Sequence, residues 1–342
     1  MANKTNLLLI YTGGTIGMIQ DTKTQSLVPF NFRNLTEQVP ELSKFDIQLS
    51  SIAFEKPIDS SNMHPGIWIK LAEIIKKNYA KYDGFVILHG SDTMAFTASA
   101  LSFMLYNLNK PVILTGSQLP IGIIRTDGKE NLITAIEIAA AKKNGKSIVN
   151  EVSIYFEYQL FRGNRTHKYN SEHFDAFETA NYPPLAEAGV HINYNQAALF
   201  KPTSKKLAVS TSLDYNIALL KIYPGITEQA VNALLGIKGL KAIIIETFGS
   251  GNAPTETWFI EALKKAIAKG IIVYNVTQCN GGSVIQGKYE TSKSLQKIGV
   301  VSGFDITTEA AVCKLMYLLG KGYPLAKTKN LLSKNLRGEI TA

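Results

Sequence analysis

The sequence has little cysteine and no long apolar run. Two cysteines, Cys279 and Cys313, are too few for a disulfide framework or a four-cysteine zinc site. No apolar stretch approaches about 18 residues, which excludes a membrane-spanning helix. The N-terminus does not read as an export signal. The apolar run Leu7–Tyr11 is shorter than a signal's apolar region, and no small-residue cleavage pattern follows it. That run reads as a first core strand and implies a cytoplasmic protein, in keeping with two unpaired cysteines. Solenoid repeats and low-complexity tracts are absent. The five histidines, at 64, 89, 167, 173 and 191, show no paired metal spacing. There is no basic block interleaved with aromatics. Lys and Arg number 36 against 27 Asp and Glu, a net charge of +9, but the lysines are scattered as doublets such as Lys76-Lys77 and Lys142-Lys143. Such scatter describes a solvated basic surface, compatible with an anionic or zwitterionic small substrate and not with a nucleic-acid partner.

What is there is core-forming. Of 342 residues, 45% are apolar and 18% charged, enough for a substantial interior and two domains. Short apolar runs alternate with helical stretches. Leu7–Tyr11, Gly84–His89, Pro111–Thr115 and Val152–Phe156 read as buried strands. Pro65–Tyr79, Thr93–Leu108 and Gly128–Lys143 read as helices. A second block alternates likewise, with strands at Ala218–Tyr223, Ala242–Thr247 and Ile271–Val276. Its helices are Thr227–Leu235, Thr255–Ala268 and Thr307–Leu319, and Thr255 and Thr307 are placed to cap the last two. This is an α/β pattern. It predicts a large N-terminal domain (1–195) with a mainly parallel sheet flanked by helices, a polar linker (196–212) and a smaller C-terminal α/β domain (213–342).

Ligands of open parallel sheets bind beyond the carboxyl ends of the strands. Three segments there combine glycine with hydroxyls: Tyr11-Thr12-Gly13-Gly14-Thr15-Ile16-Gly17, His89-Gly90-Ser91-Asp92-Thr93-Met94 and Thr115-Gly116-Ser117-Gln118. Glycine lets backbone amides approach a ligand, and hydroxyls bond or attack it. Asp92 either caps the helix that follows or fixes a substrate ammonium, and the two roles can coexist. His89, ending an apolar strand, reads as a structural hydrogen-bonder. The glycine spacing after Tyr11 is not the dinucleotide fingerprint. Gly282–Gly287-Lys288 has a phosphate loop's spacing, but Tyr289 stands where a magnesium-binding hydroxyl belongs.

Together these loops resemble the L-asparaginase family of amidohydrolases, specifically the bacterial cytoplasmic type I group. The resemblance continues through Arg162-Gly163-Asn164-Arg165-Thr166-His167-Lys168, Gly251-Asn252-Ala253-Pro254, Thr277-Gln278-Cys279 and Asn335-Leu336-Arg337-Gly338-Glu339. It implies hydrolysis of L-asparagine to L-aspartate and ammonia through an acyl-enzyme, with no metal or other cofactor. Thr15 is implied as the nucleophile, supported by Thr93, Asp92 and Lys168. Ser60 and Ser61, in the segment that begins at Asp59, would hold the substrate's α-carboxylate and Asp92 its α-ammonium group, with Asp59 and Thr93 also implied in substrate binding. A homodimer or homotetramer is implied, with no nucleic-acid or membrane partner.

Two features depart from the family pattern. Relatives carry a tyrosine on the loop after the nucleophile, whereas Ile19–Pro29 has none and Leu27 stands in its place. Tyr289 resembles a position that reaches a neighbouring subunit's site. Glu246 stands where some relatives use an arginine to bind a second, activating asparagine, while Cys279 of that site is retained. A glutamate repels an α-carboxylate, which argues against activation in that form. Without such a site, Glu246 reads as a strand-end surface charge and Cys279 as a small buried residue.

Other readings share these residues. One extra methylene is a weak discriminator, about 1–3 kcal/mol, so a broader glutaminase-asparaginase fits equally. An amidotransferase component of the family is expected to carry an additional N-terminal domain before its nucleophile, unlike Thr15 here. A non-catalytic amino-acid-binding module would use Asp92, Ser60 and Ser61 but has no need of Thr15 and Lys168. If Tyr289 assists Thr15, Tyr289→Phe lowers asparagine turnover with assembly unchanged. Normal turnover in that variant contradicts the assignment.

Overall fold

A computed structural model describes residues 4–20, 27–29, 39–287 and 290–341. The chain forms two compact units that divide between Thr211 and Ser212.

The first unit is built on an eight-stranded sheet. Its strands are β1 (Thr5–Tyr11), β2 (Ile47–Ala53), β3 (Gly84–Leu88), β4 (Val112–Thr115), β5 (Val152–Phe156), β6 (Gln159–Arg162), β7 (Ala186–Ala188) and β8 (Ile192–Tyr194), in the order β8-β7-β6-β5-β4-β3-β1-β2. Pairing is parallel from β2 to β5 and antiparallel from β5 to β8. Every residue of β3, β4 and β5 is buried, as parallel strands covered on both faces must be. Three helices cover it: α1 (Pro65–Asn78), α2 (Met94–Met104) and α3 (Gly128–Ala140). Leu132, Ala135, Ile136 and Ala139 of α3 join Leu7, Leu9, Val86, Leu88 and Ile113 in one core. Ten of the eleven α2 residues are buried, so this helix runs through the interior.

The boundaries differ from the sequence reading where a second partner competes. The helix expected over Thr93–Leu108 stops at Met104, because Leu105–Tyr106 pairs antiparallel with Ala208–Val209. The helix expected to reach Lys143 stops at Ala140, because Lys142–Lys143 turns back onto Lys146–Ser147 through Asn144 and Gly145, both at positive φ. The stretch 196–212, expected as a linker, lies largely along the first unit. Ala198 and Leu199 are buried in its core, and the Thr203 amide donates to Asn109 Oδ1 at 2.6 Å.

The second unit has an all-parallel four-stranded sheet in chain order: β9 (Ile217–Lys221), β10 (Ala242–Thr247), β11 (Ile272–Thr277) and β12 (Val301–Ser302). Its helices are α4 (Glu228–Leu235), α5 (Thr257–Ala268), α6 (Glu290–Lys297), α7 (Thr308–Gly320) and α8 (Leu325–Leu332). Thr307 caps α7, its hydroxyl accepting the Ala310 amide at 3.2 Å. Thr255 does not cap α5: the helix begins at Thr257, and Glu256 occupies the cap position without a side-chain bond. No helix among the described residues is long and apolar enough to cross a membrane.

The end of the chain is pinned by a fully buried ion pair, Lys314 Nζ to Glu339 Oε1 at 2.7 Å. The ammonium also donates to the Leu332 and Lys334 carbonyls, and Glu339 accepts the Leu336 and Arg337 amides. Burial lowers the Lys314 pKa against the opposing pull of Glu339. Removing one member strands a charge in the core, at a cost of about 3–5 kcal/mol, while a shape-matched apolar pair costs far less. Urea unfolding of Glu339→Ala and of Lys314→Met with Glu339→Leu is expected to show that ordering.

Candidate active site

Three turns meet at the carboxyl ends of β1 and β3. The chain leaves β1 through Thr12, whose amide and hydroxyl both donate to the Leu88 carbonyl, at 3.0 and 2.9 Å. The Thr12 carbonyl accepts the Ile58 amide at 2.8 Å. Gly13 and Gly14 follow at φ +140° and +88°, values that side chains resist. They also lie against backbone. A Cβ on Gly13 would sit 2.1 Å from the Ile58 oxygen, and one on Gly14 would sit 2.5 Å from the Gly90 nitrogen. Thr15 opens the short helical turn that comes next and is partly exposed.

The second turn, Ser91–Thr93, leads into α2. Gly90 packs on Ser60, whose Oγ lies 2.6 Å from where a Cβ would project. The third turn is Ser60–Asn62. Asp59 caps it, its Oδ1 accepting the Ser61 amide at 2.9 Å and the Ser61 hydroxyl at 2.8 Å. Those two bonds hold the Asp59 carboxyl below the ordinary carboxylate pKa. Ser60 is buried, while Asp59 and Ser61 are exposed.

Lys168 arrives from the far side of the sheet. Strand β6 ends at Arg162, which is buried against Glu151, with Nε to Oε2 at 2.6 Å and Nη2 to Oε1 at 3.2 Å. The guanidinium also lies over the Phe200 ring at 3.9 Å. Gly163 then lets the chain turn tightly against Ala98 of α2, where a Cβ would meet the alanine at 2.9 Å. His167–Lys168 pairs with Phe177–Glu178, which fixes the direction of the lysine. Its Nζ donates to Ser91 Oγ at 2.8 Å and to Asp92 Oδ1 at 2.7 Å. The lysine side chain is 14% exposed and that of Asp92 64%, so the ammonium sits inside and the carboxylate faces solvent.

This arrangement corrects one expectation. Thr93 does not join Lys168: its hydroxyl donates to the Ser60 carbonyl at 2.7 Å. Ser91 takes the place beside the lysine. In a turn of about three residues per revolution, successive side chains point about 120° apart, so Ser91 and Thr93 face different ways. That geometry was the available signal, since Ser91 stands in the same motif. Asp92 is not a cap, because its carboxylate pairs with Lys168 and Thr93 occupies the α2 cap position.

The other sequence-predicted positions lie as follows. Tyr289 falls outside the described residues. Met18–Gln20 pairs antiparallel with Leu27–Pro29, with Gln20 opposite Leu27. Glu246 is buried, not a surface charge. It accepts the Thr308 hydroxyl at 2.6 Å and faces Lys221 at 3.7 Å. Cys279 is exposed, not buried. Glu246 is covered from α7, whose first residue, Thr308, bonds its carboxylate.

The carboxyl-edge turns match a known protein family. Residues 6–200 match the N-terminal asparaginase family and residues 216–332 the glutaminase/asparaginase C-terminal domain. The chain belongs to the asparaginase family. L-asparaginase 1 of Escherichia coli (strain K12) is 42% identical over 339 residues, covering 99% of this chain and 98% of that protein. A 60 kDa lysophospholipase of Mus musculus is 40% identical and covers the whole chain, which spans 63% of that protein. The crystal structure of L-asparaginase I from Vibrio cholerae superposes with a TM-score of 0.90 at 39% identity, covering 99% of this chain and 100% of that one. This asparaginase-family chain therefore has the family's mixed sheet and both of its domains.

His89 supports the site without entering it. It is fully buried, and burial pushes its pKa from 6.5 down to about 4. The neutral ring completes a chain of bonds. Trp68 Nε1 donates to Thr97 Oγ1 at 3.0 Å, Thr97 donates to His89 Nε2 at 2.9 Å, and Nδ1 donates to the Gly90 carbonyl at 2.6 Å. Between pH 6.5 and 4 the unfolded chain binds the proton and the folded chain does not. Stability therefore falls with pH across that window, by on the order of 3 kcal/mol from this residue. Urea unfolding from pH 7 to 4 is expected to show that loss, with a flatter profile in His89→Gln.

Proposed function

We propose that this asparaginase-family chain hydrolyses L-asparagine to L-aspartate and ammonia, with Thr15 as nucleophile. The observation that carries the reading is the placement of Lys168 Nζ on Ser91 and Asp92, in the same set of interlocked turns as Thr15. Similarity to L-asparaginase 1 over 99% of the chain supports it.

A threonine hydroxyl is a weak nucleophile at neutral pH and needs help to shed its proton. The ammonium of Lys168 stabilises negative charge on the Ser91 oxygen it touches, which lowers the cost of moving a proton through the Ser91 hydroxyl. Thr15 Oγ1 attacks the side-chain amide carbon. Its proton passes to the departing nitrogen, the C–N bond breaks and ammonia leaves. Water then cleaves the ester on Thr15 and releases aspartate. The backbone N–H groups of Gly14, Thr15 and Ser91 have no partner among the described residues and are available to the oxyanion. One such donor is worth about 3–4 kcal/mol in other enzymes. The exposed Asp92 carboxylate takes the α-ammonium group, and Ser60 and Ser61 of the turn capped by Asp59 take the α-carboxylate. Part of the reading is a cytoplasmic homo-oligomer, dimer or tetramer. Another part is that arginine-based activation by asparagine is lost, since Glu246 is committed to Thr308 and Lys221.

The test is ammonia release from L-asparagine and L-glutamine over a wide concentration range. Asparagine turnover is expected to follow a hyperbola and to vanish in Thr15→Ala. A sigmoidal curve overturns the inference from Glu246. Absence of turnover on either amide favours the binding-module reading instead.

A further inference from the structure

Thr93 has a hydroxyl that its position does not explain. A threonine at a helix N-cap ordinarily accepts an amide from the first turn of its own helix. Thr93 occupies that position on α2 and makes no such bond. Its hydroxyl instead reaches 33 residues back in the chain and donates to the Ser60 carbonyl at 2.7 Å.

That carbonyl is doubly engaged. It also accepts the Met63 amide at 3.1 Å, so both of its acceptor sites are in use. The same peptide unit carries the Ser61 N–H, which donates to Asp59 Oδ1 at 2.9 Å. The plane of the Ser60–Ser61 peptide is thus fixed at its oxygen by Thr93 and Met63 and at its nitrogen by Asp59. Gly90, three residues before Thr93, presses on the Ser60 side chain from the same turn.

We propose that Thr93 is a positioning residue that sets the affinity of the site for the α-carboxylate end of its substrate. It does so by locking the 59–61 turn to the turn that carries Ser91 and Asp92. The inference rests on the asparaginase reading above. It places Thr93 apart from the chemistry: Lys168 acts through Ser91, and Thr93 acts through Ser60.

The test compares Thr93→Val, which keeps the shape without the hydroxyl, with Thr93→Ser, which restores it. Steady-state rates on L-asparagine are combined with calorimetric binding of L-aspartate and with amide exchange at Ser61. In Thr93→Val, KM and the L-aspartate Kd are expected to rise about tenfold, the effect of one lost hydrogen bond. Exchange at Ser61 is expected to quicken, kcat to stay within about twofold and the pH profile to stay in place. Thr93→Ser is expected to recover the wild-type values. Thr93→Ala reads the same contrast if the valine variant melts below the assay temperature. Unchanged KM and Kd overturn the proposal, as does a fall in kcat at constant KM. Wild-type protein that neither turns over asparagine nor binds aspartate defeats the asparaginase reading itself, whatever the exchange at Ser61 shows.

Discussion

The site depends on glycine backbone lying close against neighbouring turns. Four glycines, Gly13, Gly14, Gly90 and Gly116, lie where an added Cβ would come within 2.1–2.6 Å of atoms in a neighbouring turn. Those atoms are backbone atoms of Ile58, Gly90 and His89 and the Ser60 side chain. Any side chain at these points separates the turns, and the hydroxyls of Thr15, Ser60, Ser91 and Thr93 cease to share one edge of the sheet. Glycine costs conformational entropy in the unfolded chain, and here that cost secures a spacing no other residue allows. The parallel sheet supplies the rest. Its central strands are wholly buried, so their polar ends emerge together at one rim.

Charge is distributed by role. The Arg162–Glu151 and Lys314–Glu339 pairs are buried and fully bonded, and they hold chain segments in place. Such pairs are costly to break and contribute little net stability when intact. The Lys168–Asp92 pair is different, with one member inside and the other facing solvent. A half-exposed carboxylate can leave part of its hydrogen bonding to a ligand, whereas Glu339 cannot. His89, close to the same turn, is kept neutral by burial and orients the Gly90 carbonyl through its Nδ1 proton.

Much of this was legible in the sequence, and the misses have identifiable causes. Strands Val152–Phe156 and Ala242–Thr247 have the expected bounds, because buried parallel strands are unbroken apolar runs. Strand β2 was overlooked because Ile47–Ala53 alternates partly buried with exposed residues and contains two serines. The short antiparallel strands β6–β8 carry too few residues for a periodic signal. Helix α6 has eight residues and a single apolar one, Leu295, to mark it. Within the site, the motifs led to the right loops. They did not distinguish Ser91 from Thr93, because which hydroxyl faces Lys168 depends on the handedness and pitch of one turn. The burial of Glu246 depends on the packing of α7 against the sheet, which no local pattern shows.

The most direct test of the account is whether the aspartyl group of asparagine becomes attached to Thr15 during turnover. Acid-quenched enzyme, stopped within the first turnover and digested, is examined by mass spectrometry. The account predicts an aspartyl ester on the peptide that contains Thr15, lost when the reaction is chased before quenching. Turnover with an ester on Ser91 or Thr93, or with no ester on any peptide, would contradict it.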